Sequence, residues 1–129
     1  AGLAFSQTRT AAAHALSYPL TLFHGIPHGY ACSLTLGTIF DYNLSIDSGD
    51  LVKVLALFRN YYGTPDSSFD ECFSHFLESC NTPIKLGEFG VTLSDIPRLV
   101  DNAFHPDRFN NMIHTLSESE VRTIYTKSI

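Results

Sequence analysis

Histidines are the residues of this sequence whose spacing could do chemistry, and three of the six lie between positions 11 and 43. His14 sits among alanines, and His28 follows fourteen positions later in a Pro27-His28-Gly29 turn. Helices on either side of one loop could present both imidazoles to a common point. Because neutral imidazole is a common metal ligand, the pair predicts a metal site. A bound metal usually takes three or four protein ligands, so two histidines alone leave its shell incomplete.

The remaining histidines carry weaker signals. Gly25 and Pro27, which separate His24 from His28, argue against a helical H-x-x-x-H pair. A lone histidine is more often solvated or hydrogen-bonded than a ligand, and we interpret His75, His105 and His114 in that way.

Composition excludes several classes of function. The chain has 129 residues, enough for one domain or for part of a larger protein. With 44% hydrophobic and 16% charged residues it is typical of a folded globular protein. A net charge of −5 leaves no basic stripe for phosphates, which argues against nucleic acid as a partner. No apolar run reaches the ~18 residues of a membrane-spanning helix, so we expect no membrane partner.

The cysteines and the N-terminus bear on the compartment. Cys32, Cys72 and Cys80 form no C-x-x-C pair, which argues against a zinc knuckle and favours reduced thiols in a cytoplasmic protein. The first residues, Ala-Gly-Leu-Ala, have neither an initiator methionine nor the features of a secretory signal. We therefore expect a chain that begins within a longer protein.

The elements that must position the histidines are predicted to be helices. Small helix-favouring residues from Leu3 to Leu16 predict a first helix that ends near Tyr18, because the residue before Pro19 avoids the α region. Leu20 to Pro27 is then a short loop, and His28 to Tyr42 forms a second, buried helix.

Four further helices complete an all-α prediction of six helices. Leu51 begins an amphipathic helix stopped by Gly63-Thr64-Pro65, and a strong apolar stripe runs from Phe69 to Cys80. Asp95 caps a helix that ends at His105-Pro106, and Ser117 with Glu120 forms a capping box before the last helix.

The stretch from Ala11 to Asn43 resembles the signature of the iron-containing (group III) alcohol dehydrogenases, which have the dehydroquinate-synthase-like fold. In that family a helix carries a ligand histidine, and a Pro-His-Gly turn with a second ligand histidine follows fourteen residues later. The resemblance continues downstream, through Leu55 to Gly63, Ile84 to Leu99 and Asn110 to Ile124. It therefore covers nearly the whole chain.

The resemblance implies roles for individual residues. His14 and His28 would be metal ligands for iron or zinc, with NAD or NADP bound by another part of the parent protein. Many family members have a histidine where this chain has Tyr18, and Ser17-Tyr18-Pro19-Leu20-Thr21 resembles the phosphonoacetaldehyde reductase subgroup. Tyr18 is then the candidate proton donor, and His24 the candidate substrate-pocket residue. Packing at a helix end is an equally open reading of Tyr18.

The resemblance also implies what lies elsewhere. The family's other two ligands, an Asp and a His one helical turn apart, come from an earlier helix, and only thirteen residues precede His14. We therefore expect residues 1–129 to be the C-terminal metal-binding helical part of an alcohol dehydrogenase or aldehyde reductase, inactive when alone. The alternatives are a non-catalytic helical module whose apolar faces dock a partner or self-associate, and the related glycerol dehydrogenase or dehydroquinate synthase branch.

Overall fold

The computed structural model describes residues 11–104, 109, 112 and 114–129. Within these ranges it contains six α-helices and two short 3-10 helices, with no β-strand, which confirms the all-α prediction. The α-helices are α1 (Ala12–His24), α2 (His28–Ile46), α3 (Leu51–Tyr62), α4 (Phe69–Ser79), α5 (Ile96–Ala103) and α6 (Glu118–Ser128); the 3-10 helices are Leu86–Phe89 and Leu93–Asp95. None of the described helices has the length and apolar character needed to cross a bilayer.

The predicted end of the first helix at Tyr18 is wrong. Helix α1 continues through Pro19 to His24 and ends at Gly25, which has a left-handed backbone (φ 65°). An internal proline costs about 3 kcal/mol, because it removes one hydrogen bond and crowds the carbonyl four residues earlier. Leu16 and Leu20 are fully buried, and each buried leucine contributes about 1.5–3 kcal/mol. Tertiary burial therefore outweighs the local preference of proline.

The other helix boundaries follow the sequence signals more closely. α2 begins at His28 as predicted but extends beyond Tyr42 to Ile46. The capping box of Ser117 with Glu120 is confirmed, and Ser68 forms an equivalent box with Glu71 at the start of α4. α5 ends at Ala103. The predicted start of the first helix at Leu3 and the predicted stop at His105-Pro106 lie outside the described residues.

The hydrophobic core lies between α1, α2, α5 and α6. Its fully buried side chains include Leu16 and Leu20 of α1, Val100 of α5 and Tyr125 of α6. The Tyr125 hydroxyl donates a 2.7 Å hydrogen bond to the carbonyl oxygen of Leu16, and burial raises the pKa of this phenol. Leu16 directly follows Ala15, whose carbonyl oxygen has no helical N–H partner because residue 19 is a proline. The core thus braces α1 at the proline.

α2 and α4 approach each other closely at Gly37. A Cβ added to Gly37 would lie 2.4 Å from Asp70 Oδ1 and 3.0 Å from Asp70 Cα. One turn further along α2, the Asp41 carboxylate accepts the backbone N–H groups of Phe69 (2.8 Å) and Asp70 (3.0 Å). This places a carboxylate at the positive N-terminus of α4, which stabilises that helix.

We predict that Gly37→Ala destabilises the protein, whereas Gly29→Ala, the same substitution near the start of α2, does not. Gly37→Ala should lower the free energy of unfolding by about 1–3 kcal/mol, because its methyl group collides with the backbone of α4. Nothing lies within 4 Å of a Cβ added at Gly29. Gly29→Ala should therefore be neutral or stabilise by up to about 1 kcal/mol through helix propensity. Urea unfolding of both variants tests this, and equal effects would contradict the close crossing.

Candidate metal centre

One face of α1 carries the side chains of interest. His14, Ser17 and Tyr18 are spaced i, i+3 and i+4, so they lie together on the helix surface. His14 is half-buried, whereas Ser17 is fully buried beneath it. All three residues precede Pro19, and α1 continues beyond them to His24.

The connection from α1 to α2 brings His28 back to the middle of α1. His28 contacts Ser17, which lies seven residues before the end of α1, about 10 Å along the axis. Three residues, Gly25 to Pro27, connect the two helices, and Gly25 has the left-handed backbone that ends α1. Ile26 is fully buried and anchors this returning segment in the core. The predicted loop was thus too long at its N-terminal end, since residues 20–24 are helical.

His14 and His28, the two predicted ligands, come together in the structure. Their ring centroids lie 5.2 Å apart in an edge-on arrangement. The ring of Tyr18 also stacks on His28, at 6.0 Å between centroids. The spacing of fourteen residues therefore does juxtapose the imidazoles.

Hydrogen bonding to Ser17 sets the tautomer of His28. Ser17 Oγ donates its one hydrogen to the carbonyl oxygen of His14 at 2.8 Å. The 3.1 Å contact between Ser17 Oγ and His28 Nδ1 therefore requires Nδ1–H as the donor. The lone pair of the neutral ring is then on Nε2. A hydrogen bond of this kind behind a ligating histidine is typical of metal sites.

Cys32 joins the two histidines, and sequence reasoning missed it. Its Sγ lies 3.7 Å from His28 Nε2, and one donor atom from each of His14, His28 and Cys32 lies within 4.8 Å of the other two. The sequence contains a signal for it, because His28 and Cys32 are i and i+4 on a helix whose start was predicted correctly. Testing the cysteines only for C-x-x-C pairs overlooked this spacing.

The structure does not bring His24 into this cluster. His24 is the last residue of α1, ten residues beyond His14 and thus about 15 Å away along the helix. His24 instead acts electrostatically on Asp95. The pKa of that carboxyl is lowered first by hydrogen bonds from Thr92, with smaller contributions from His24 and Arg98.

Two other histidines have ordinary hydrogen-bonding or ionic partners, as predicted. His75 Nδ1 lies 2.7 Å from the carbonyl oxygen of Tyr62, and His114 Nε2 lies 3.7 Å from a carboxylate oxygen of Glu120. His105 lies outside the described residues.

A second concave surface lies between α2, α4 and α6, with a volume of about 390 Å³. Its carboxylates are already engaged. Asp41 caps α4, and Glu120 accepts hydrogen bonds from Ser117 and from the Tyr42 hydroxyl. These bonds lower the pKa of Glu120 to about 2, whereas burial raises that of Asp70. The groups in this cavity therefore serve to join helices, which leaves the histidine cluster as the stronger candidate site.

Comparison with known proteins identifies the family. The pattern of the Fe-containing alcohol dehydrogenase family, C-terminal, matches residues 1–129. The chain belongs to this family. The expected family and its helical C-terminal region are therefore confirmed.

Two known proteins are similar to this chain of the Fe-containing alcohol dehydrogenase family. Over 49 residues, 38% of the chain, it is 47% identical to a phosphonoacetaldehyde reductase from Streptomyces viridochromogenes, of which the match covers 12%. Its fold is similar to that of a 1,3-propanediol oxidoreductase crystal structure, with a TM-score of 0.70 and 18% identity over 92% of the chain. The chain spans 32% of that structure, so it corresponds to about a third of such a protein.

We predict that Ser17→Ala weakens divalent metal binding by about 10- to 100-fold, the usual effect of losing a hydrogen bond that orients a ligand. The matched control is Ser33→Ala. Ser33 Oγ also donates to a helix carbonyl, that of Gly29 at 2.9 Å, without contacting an imidazole nitrogen. Zn²⁺ titration of both variants should show a loss only for Ser17→Ala. Equal affinities would mean that Ser17 does not set the orientation of His28.

Proposed function

We propose that this chain is the metal-binding C-terminal part of an NAD(P)-linked alcohol dehydrogenase or aldehyde reductase, with His14 and His28 as two of the metal ligands. The observation that carries the proposal is the convergence of these imidazoles from two helices, with Ser17 holding His28 in a single tautomer. Family membership supports the reaction class. The nicotinamide site and the remaining ligands would come from other parts of the parent protein.

The residues present fit a divalent transition metal. Two imidazole nitrogens are suitable ligands for iron or zinc, and one of them has the oriented hydrogen bond expected behind a ligand. A metal held there would act as a Lewis acid on the oxygen of the alcohol or carbonyl substrate. His14 and His28 would hold the ion in a fixed position, because both of their helices pack in the core.

Tyr18 is the residue of this chain that we propose for proton transfer. Its ring packs against His28, and 46% of its surface is exposed, so its hydroxyl can reach a small molecule beside the histidines. In aldehyde reduction the carbonyl carbon gains a hydride from the nicotinamide and its oxygen gains a proton. The Tyr18 hydroxyl would supply that proton. His24 could contact only a distal part of the substrate, given its position at the far end of α1.

An interaction module remains the second candidate, and exposed apolar side chains favour it. Leu22 of α1 is 72% exposed, and Leu36 of α2 is 38% exposed. Such residues are typical of a surface that another domain or a second copy of the chain covers. A chain that self-associates through these apolar side chains and binds no metal would support the module over the dehydrogenase.

We predict that His28→Ala in the full-length parent lowers metal affinity by more than about 100-fold and abolishes activity, because one of the proposed metal ligands is lost. His114→Ala, which removes an imidazole that pairs with Glu120 instead, is the control and should retain the metal. Metal analysis and NAD(P)H-dependent aldehyde reduction measure both. Undiminished metal content and activity in His28→Ala would refute the assignment.

We expect the 129-residue chain by itself to show no NAD(P)H oxidation, because in the proposed parent the nicotinamide is bound by another domain. Measurable oxidation by the purified chain would contradict this part of the proposal, while the metal assignment would stand or fall on the His28 variant.

A further inference from the structure

We infer that Cys32 is a third metal donor, so that this chain offers two imidazoles and one thiolate to a thiophilic divalent ion such as Zn²⁺. The inference rests on the proposed metal site and goes beyond the two histidines on which that site was argued. Within the described residues, His14, His28 and Cys32 are the one group of three His, Cys, Asp or Glu side chains close enough to share an ion.

The distance between sulfur and nitrogen fits an ion placed between them. Zn–N bonds of about 2.1 Å and Zn–S bonds of about 2.3 Å, at a tetrahedral angle, separate N and S by about 3.6 Å. Cys32 Sγ and His28 Nε2 lie 3.7 Å apart. Nε2 is also the atom that Ser17 leaves with its lone pair, since Nδ1–H is used in the hydrogen bond to Ser17 Oγ. Distance and tautomer thus agree on the same pair of atoms.

Helical geometry keeps His28 and Cys32 close together. His28 and Cys32 are one turn apart at the start of α2, where the backbone N–H of Ala31 already bonds to the carbonyl of Pro27. His14 approaches from α1, so the three donors come from two helices that pack together in the core. Because all three lie within 4.8 Å of one another, side-chain rotations alone can bring them onto one ion.

A simple thiol–imidazole hydrogen bond would account for Cys32 and His28 but not for His14. The imidazole of His14 has no role in a hydrogen bond between Cys32 and His28, whereas a metal site with three donors uses it. The other two cysteines provide the contrast: Cys72 is buried, and Cys80 is exposed with its Sγ 4.0 Å from the hydroxyl of Ser79.

Binding changes the protonation of Cys32 and the preference of the site. The S–H bond breaks, its proton passes to solvent, and a sulfur lone pair forms the bond to the ion. A thiolate donor favours Zn²⁺ and Co²⁺ over harder ions such as Mg²⁺ and Mn²⁺. We therefore expect a metal preference that differs from that of a site built from imidazole and carboxylate alone.

The test is metal titration of the 129-residue chain and its variants Cys32→Ser, His28→Ala and Cys80→Ser. We expect one Zn²⁺ per chain, with affinity lowered at least about tenfold by Cys32→Ser and unchanged by Cys80→Ser. Co²⁺ should give a thiolate-to-cobalt charge-transfer band in the near ultraviolet that Cys32→Ser removes. Circular dichroism checks that each variant is folded.

A second measurement uses only the unaltered chain. Zn²⁺ should slow alkylation of Cys32 and leave alkylation of the exposed Cys80 unchanged, with peptide mass spectrometry reporting each site. Equal rates with and without Zn²⁺ at Cys32 would overturn the inference whether or not the variants fold.

The outcomes separate this inference from the proposed function. If His28→Ala loses Zn²⁺ while Cys32→Ser binds like the unaltered chain, Cys32 is not a ligand and the histidine site stands. If His28→Ala also binds normally, the metal part of the proposed function is wrong as well. No Zn²⁺ binding by the unaltered chain at millimolar metal, or a charge-transfer band that Cys80→Ser removes, would likewise overturn the role of Cys32.

Discussion

The candidate site depends on one constraint, the connection from Gly25 to Pro27. This connection brings the start of α2 back beside the middle of α1. Gly25 adopts the left-handed conformation that ends α1, and Ile26 is fully buried beside it. These residues place the start of α2 against Ser17 rather than against the end of α1. The imidazoles lie together because the buried side chain of Ile26 anchors this three-residue connection in the core.

The rigidity of α1 is the second condition. His14, Ser17 and Tyr18 share a face because they lie within about one turn of α1, and the helix continues beyond them through Pro19 to His24. Leu16 and Leu20 are buried on the opposite side, and the Tyr125 hydroxyl holds the carbonyl of Leu16. The core that α1 shares with α5 and α6 thus also orients the polar face. Packing and site geometry depend on the same helix.

The chain matches only part of a longer oxidoreductase, and the proposed metal donors, two imidazoles and one thiolate, are those that this part contains. The chain covers about a third of the similar solved oxidoreductase. In the function that we propose, other parts of a parent protein would complete the catalytic site, whereas two histidines and a cysteine of this chain would share an ion. Metal binding by these helices and hydride transfer by the parent would then be separate properties.

The sequence by itself determined the helical class, the start of α2 at the Pro-His-Gly turn, the Ser117 capping box and the family. These are local signals: periodicity, capping and motif spacing act within a few residues. The tertiary structure decided that α1 passes through Pro19, since the burial of Leu16 and Leu20 depends on α5 and α6. The approach of Cys32 Sγ to His28 Nε2 is local, because the two residues are one turn apart on α2. The contacts of His28 with His14 and Ser17 are tertiary, because only the packing of α2 against α1 brings these residues together.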